Sequence, residues 1–280
     1  MNGGTLVAGP YLGEFGWEVG CWNPRIRRLA LDFERTVVLT RAECAPLYEF
    51  AARVVPVEVV PGSSNYVHGT LARPAPEIAG DFHVTPTREL VRAEHLAFAD
   101  PAIDPHAAGK CWHLFGTWRR PAPADVCLAL RPPKLSGTTL DERKAYPEAR
   151  ALELAELLVG VGYRLACIGG PDNRTVPGAL DLRGAPLAVQ MDALSNALVC
   201  VGPSSGPMHL AQMCGCAVVT WYDATPAAVV SSVARYTRTW NPWGAPVRHL
   251  GGLPTPQAAC MATMQLADRV EQLRSQELAG

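Results

Sequence analysis

A chain of 280 residues is long for one α/β core and comfortable for two domains of about 100 to 150 residues each. With 48% hydrophobic and 18% charged residues it can fill substantial cores, which excludes a disordered chain, and a net charge of -1 gives no overall electrostatic footprint for nucleic acid. No apolar run approaches the roughly 20 residues that cross a bilayer, and the chain does not begin with a charged segment followed by a long apolar one, so a soluble, cytoplasmic protein is expected.

Residues 5–8 read as a first strand, followed by the glycine-punctuated turn Gly9-Pro10-Tyr11-Leu12-Gly13-Glu14-Phe15-Gly16-Trp17-Glu18, where the backbone can approach a ligand closely. Trp17, Cys21, Trp22 and Ile26 suit the apolar face of a helix running toward Leu31. Glu14 and Glu18 then stand at the mouth of the first strand, where acidic residues also simply complement a helix N-terminus. Residues 36–40 predict a second strand, 44–54 a helix and 57–60 a third strand, an alternation that argues for a parallel sheet. The turn-rich stretch 61–76 carries Asn65, Tyr66 and His68 in a loop. Residues 82–84 suggest another strand and 88–98 another helix.

The proline-rich stretch 118–125 reads as a linker. Beyond it, 126–130 predict a strand ending at Arg131, and 132–144 a loop with Lys134, Arg143 and Lys144. Tyr146-Pro147 opens a helix through Val159, 163–168 form a strand, and Gly169-Gly170-Pro171-Asp172 turns the chain again. A short strand and turn at 180–184 and a helix over 187–197 follow. The apolar run 198–201 has no polar alternation, as expected for a parallel strand covered on both faces.

Gly202 to Gly206 end that strand, Pro207 fits the first position of a helix, and Gly215 fits its left-handed stop. The helix start at Ser205 and Gly206 is a seat for an anion such as a diphosphate, and His209 in the first turn can add a donor. The same residues also fit an ordinary strand-to-helix connection with a capping serine, and His209 a residue satisfying its own helix terminus. Residues 216–222 form the next strand, 247–250 a last strand and 256–278 an amphipathic terminal helix. The nine cysteines include no Cys-x-x-Cys pair, and Cys127, Cys167 and Cys200 lie in apolar runs, which fits reduced, buried thiols. Cys214, Cys216 and His209 are too few for a zinc site, so no metal is expected.

The second half resembles the C-terminal domain of the heptosyltransferase-like glycosyltransferases, family 9, with the GT-B fold. Matching residues are Arg131, Lys144-Ala145-Tyr146-Pro147, Ile168-Gly169-Gly170-Pro171, Asp181-Leu182-Arg183-Gly184 and the run from Val201 to Ala211. The family usually has Asp where this chain has Ser204. In the first half, Leu12-Gly13-Glu14 resembles the family's Gly-Asp at the first strand-to-helix turn, where an acidic residue is the catalytic base. Phe15-Gly16-Trp17-Glu18 departs from the usual continuation, which points to a different acceptor.

The resemblance implies two Rossmann-like parallel-sheet domains facing across a cleft: residues 1–120 binding the acceptor and 121–255 the nucleotide-sugar, with a helix at 256–280 able to return to the first domain. It implies an inverting, metal-independent glycosyltransferase acting on an acceptor with a free hydroxyl, and requiring no cofactor beyond its nucleotide-diphosphate sugar donor. Glu14 would be the base, with Glu18 and Asp223 next in line. Ser204, Ser205, Gly206, His209, Arg131 and Lys144 would hold the diphosphate, and Gly169, Gly170, Leu182 and Arg183 the nucleoside. Two alternatives remain: a noncatalytic nucleotide-sugar binding protein, and a glycosyltransferase acting on a modified nucleic-acid base. In the second, Arg25, Arg27, Arg28, Arg119 and Arg120 would hold phosphates, although the charge balance does not favour it.

Overall fold

In the computed structural model, which describes residues 2–60, 69–86, 122–136, 139–141, 144–222, 233, 236, 241 and 244–279, the apolar run near the start of the chain forms β1 (Asn2–Ala8). It belongs to the first of two units, Met1–Asp104 and Pro105–Gly280. A helical run of three parts follows: α1 (Phe15–Trp17), a π-helical stretch (Glu18–Trp22) and α2 (Asn23–Ala30). Then come β2 (Phe33–Thr40), a 3-10 helix (Ala42–Tyr48) and β3 (Arg53–Pro56). With β6 (Phe82–Val84) these strands form a wholly parallel sheet in the order β3-β2-β1-β6. Val7, Val37, Leu39 and Val55 make its core, with Val57, Ala75 and Ile78 packed against them.

Two expectations are corrected in this unit. The helix over 44–54 is replaced by the shorter 3-10 helix, which contains Pro46, and by β3. An interior proline removes a helical hydrogen bond, and the β-branched pair Val54-Val55 favours an extended chain. The third strand of the sheet is therefore Arg53–Pro56. Residues 57–60 instead supply β4 (Val59–Val60), which pairs antiparallel with β5 (Thr70–Leu71) in a separate ribbon. The loop at Asn65, Tyr66 and His68 and the helix over 88–98 lie outside the described residues, as do Arg119, Arg120 and residues 118–121 of the linker.

The second unit contains β7 (Val126–Leu128), β10 (Leu165–Cys167), β11 (Leu180–Asp181), β12 (Val199–Pro203), β13 (Ala217–Trp221) and β14 (Val247–His249). Its parallel sheet has the order β11-β10-β7-β12-β13-β14. Counted within the unit this is 3-2-1-4-5-6, the order of dinucleotide-binding folds. Strands β7, β10, β12 and β13 are buried along their whole length, which accounts for their unbroken apolar sequences. The helices are α3 (Glu148–Gly160), α4 (Leu187–Asn196), α5 (Gly206–Met213) and α6 (Pro256–Ala279).

The stretch expected as a loop between Arg131 and Lys144 contains a hairpin, β8 (Lys134–Ser136) against β9 (Thr139–Asp141). The terminal helix α6 packs on α3 and on β12 to β14. The cause is its apolar face: Ala259, Cys260, Ala262, Leu266, Ala267 and Val270 all belong to the second unit's core. Among the described residues every cysteine is a buried free thiol, and no helix is long and apolar enough to cross a membrane.

Candidate functional site

In the second unit the strand order changes direction between β7 and β12, so the crevice where open α/β sheets take ligands opens at the carboxyl ends of these two strands. Gly202 makes their close approach possible. A Cβ there would stand 2.7 Å from the Ala129 carbonyl oxygen, and the Ala129 N–H donates to Val201 across the same gap at 2.9 Å. The chain then passes through Ser204, held by its N–H to the Trp221 carbonyl at 2.8 Å, into α5. Ser205 occupies the N-cap position with an extended backbone, yet its side chain makes no capping bond. The expected capping serine is thus not used as one, and the helix brings its positive dipole end, with Gly206 as its first residue, to the crevice.

His209, in that first turn, lies with its imidazole parallel to the Tyr236 ring, centroids 5.6 Å apart and planes 7° from each other. Tyr236 is fully buried, and its ring also packs on His249 at 5.7 Å. Burial pushes the Tyr236 phenol up, and burial pushes His249 below the ordinary 6.5, so both rings of this stack are neutral at pH 7.

The remaining second-unit residues fall along the same sheet edge. Arg131 follows β7, and its carbonyl accepts from the Tyr146 N–H at 3.2 Å. Tyr146 is fully buried with its ring 5.0 Å from Trp221, which anchors the segment bearing Lys144; burial pushes its phenol up to about 12. The Lys144 ammonium stands 4.9 Å over the Tyr222 ring at the end of β13, a cation–π contact.

Gly169, just past β10, has φ +105°, and a Cβ there would meet the Asn173 amide nitrogen at 2.1 Å, so only glycine fits. Its N–H donates to buried Gln190 at 2.8 Å, and the exposed Gly170 comes next. Leu182, after β11, donates its N–H to the Cys167 carbonyl at 2.8 Å. Arg183 grips Asp181 through two guanidinium nitrogens at 2.8 and 2.7 Å and reaches the Asn173 carbonyl at 2.6 Å. This bidentate pair holds the Asp181 carboxyl at about 2.

In the first unit the equivalent crevice lies at the carboxyl ends of β1 and β6. The loop from Gly9 to Glu14 occupies it. Gly9 has φ +112°, donates its N–H to the Val84 carbonyl at 2.9 Å, and could not carry a side chain, because a Cβ would stand 2.3 Å from the Leu39 carbonyl oxygen. Glu14 sits at the N-cap position of α1 and is exposed, and its carboxylate makes no capping bond.

Glu18 has opposite surroundings. It is fully buried, and its carboxylate accepts from the Thr40 hydroxyl at 2.6 Å, the Tyr48 hydroxyl at 3.0 Å and the Arg41 guanidinium at 2.5 Å. Burial works against the Arg41 charge, but Glu18 outweighs it and holds the guanidinium ionised. Burial first, and Glu18 second, push the Tyr11 phenol up, which places Tyr11 in the same neighbourhood. Asp223, the other candidate base, lies outside the described residues.

Tyr222, Tyr236, His249 and Gln190 were not legible as site residues. Tyr222, Tyr236 and Gln190 touch the expected set through tertiary packing and His249 packs on Tyr236, and none stands in a motif or at a periodic spacing. Among the described residues no three His, Cys, Asp or Glu side chains gather as metal ligands.

No protein-family model matches the chain, and no curated protein matches it in sequence. Solved structures do. The chain is similar to the glycosyl transferase family 9 protein from Veillonella parvula DSM 2008 at TM-score 0.56 and 12% identity, over 95% of this chain and 97% of that one. It is similar to the E. coli ADP-heptose lps heptosyltransferase II at TM-score 0.53 and 14% identity, over 95% and 99%. The iron-containing dodecameric glycosyltransferase TibC from enterotoxigenic E. coli H10407 follows at TM-score 0.50 and 17% identity, over 98% and 76%. At such identities what is shared is the fold, and the chain has the GT-B fold of these glycosyltransferases.

Proposed function

We propose that the protein is an inverting, metal-independent glycosyltransferase that moves a sugar from a nucleotide-diphosphate donor to an acceptor hydroxyl. The observation that carries this reading is the carboxyl edge of the second unit's sheet. There an uncapped helix start, His209, Arg131 and Lys144 surround the switch point between β7 and β12, on a fold shared with sugar-transferring proteins.

The donor diphosphate lies against Ser204, Ser205 and Gly206, and the nucleoside against Gly169, Gly170, Leu182 and Arg183. The acceptor oxygen attacks the anomeric carbon from the face opposite the diphosphate. As that bond forms, the bond to the diphosphate oxygen breaks, and the proton of the hydroxyl passes to Glu14. Charge developing on the leaving diphosphate meets fixed dipoles and cations that need no reorganisation. One displacement inverts the anomeric centre.

Of the two acids, Glu14 is the base, because its carboxylate is exposed and has no capping bond. Glu18, whose oxygens already accept from three donors, is the anchor of its helix. The enzyme acts in the cytoplasm, a reading supported by the buried free thiols among the described residues, which suit a reducing compartment.

The test is release of nucleoside diphosphate from a panel of nucleotide-sugars, ADP-heptose included, with and without chelator. One donor should be turned over, equally well in chelator. Strict dependence on a metal, as the iron in TibC makes worth testing, would overturn the mechanism. Binding without hydrolysis or transfer would leave a noncatalytic nucleotide-sugar binder.

A further inference from the structure

The geometry points to Tyr236 as a positioning residue of the donor diphosphate seat, one that fixes the His209 imidazole against the first turn of α5. The inference rests on the donor reading above. An imidazole at a helix start beside an open crevice ordinarily samples several rotamers, and only some aim a ring N–H at a bound phosphate. Here one face of the ring is covered by a fully buried phenol at 5.6 Å and 7°, within the range of an offset stack. The imidazole is thereby ordered before ligand arrives, and the entropy of ordering it is not charged against binding or against the transition state.

Tyr236 is itself held on three sides. His249, the last residue of β14, packs on its ring at 5.7 Å. Its hydroxyl lies near Ser204, which follows β12, and Thr220 in β13. Ser204 is buried to 3% exposure and neutral, so the side chain facing the phenol brings no charge to the seat, in contrast to the Asp of the resembled family. The carboxyl ends of β12, β13 and β14 thus meet at one ring, which stacks on the α5 imidazole that faces the leaving group.

The experiment is a double-mutant cycle on the full chain, read by calorimetric binding of a panel of nucleoside diphosphates. His209→Ala should weaken binding about tenfold, Tyr236→Leu by a similar factor, and the double variant no further, because both changes remove one interaction. Tyr236→Phe keeps the ring and should bind within about twofold of the wild type, a rescue that a general folding defect would not give. Additive losses, or a Tyr236→Leu chain binding as well as the wild type, overturn the inference. Should Tyr236→Leu not fold, the wild-type protein still decides. The His209 ring protons, assigned by their absence from H209A, should be displaced upfield by the phenol; unshifted signals overturn the stack. If the wild type binds no nucleoside diphosphate while the upfield shift is present, the donor reading fails and takes the role of Tyr236 with it.

Discussion

The two units build the same kind of crevice and furnish it in opposite ways. Each is a parallel sheet whose strand order reverses, and each places a glycine that tolerates no side chain at the reversal: Gly9 beside β1 and Gly202 beside β12. At the first unit's edge stand an exposed carboxylate and a buried one, Glu14 and Glu18. At the second stand a helix dipole, an imidazole and cations. One architecture can therefore offer a proton acceptor or an anion seat, and the choice lies in a handful of side chains grafted on strand ends. The contrast also separates the two acids, since burial and saturation by donors make Glu18 part of the frame while Glu14 remains available.

The sharpest way to break this comparison is Glu14→Gln. Turnover should fall ~10²- to 10⁴-fold with donor affinity nearly unchanged, measured by steady-state kinetics beside calorimetry. An active variant would move the base away from the first unit's loop.

Next in size is Glu18→Ala, which leaves Arg41, Thr40 and Tyr48 facing a cavity without their acceptor. Removing one partner of a buried pair costs about 3 to 5 kcal/mol, to be read from denaturant midpoints. A folded variant that loses as much turnover as Glu14→Gln would instead make Glu18 the base. In the second unit, Gly202→Ala forces a methyl against the Ala129 carbonyl and should cost about 1 to 3 kcal/mol, with weakened nucleoside diphosphate binding because the crevice is pushed open.

The smallest effect is one of pH. His249 titrates below its ordinary 6.5 because burial disfavours its charged form. Between that value and the folded one the unfolded chain binds more protons, so stability is fully present above pH 6.5 and declines as the pH falls. His249→Phe should flatten that part of the stability profile. An unchanged slope would remove His249 from the account of the Tyr236 ring stack.

Much of the second unit was legible because a parallel strand buried on both faces has to be written as an apolar run, and 126–130, 163–168, 198–201 and 216–222 are such runs. The motif Ser-Gly-Pro-x-His could be placed on a strand-to-helix turn for the same reason. Residues 53–60 misled because Arg53-Val54-Val55-Pro56-Val57-Glu58-Val59-Val60 holds two extended pieces of different sheets parted only by Val57-Glu58, and β-propensity cannot say which piece joins which sheet. Tyr236 was invisible for a deeper reason. Its role depends on a stack with residues 27 positions before it and 13 after, and no local pattern encodes such contacts. Glu14 and Glu18 looked alike in sequence, and only the surrounding Thr40, Arg41 and Tyr48 separate them.

The π-helical stretch Glu18–Trp22 has a consequence for how this chain can vary in length. A π turn holds one residue more than the α turn it interrupts, and each residue rotates a helix by about 100°. Glu18 before the turn is bound to Thr40 and Tyr48, while Asn23 after it donates to the Leu47 carbonyl at 2.7 Å. Excising Gly20 alone would restore a plain α turn over nearly the same rotation, so Glu18 and Asn23 would keep facing their partners. A relative shorter by one residue at this point can therefore keep both anchors, and a one-residue gap between Glu18 and Asn23 in an alignment marks the loss of the π turn with its packing partners retained.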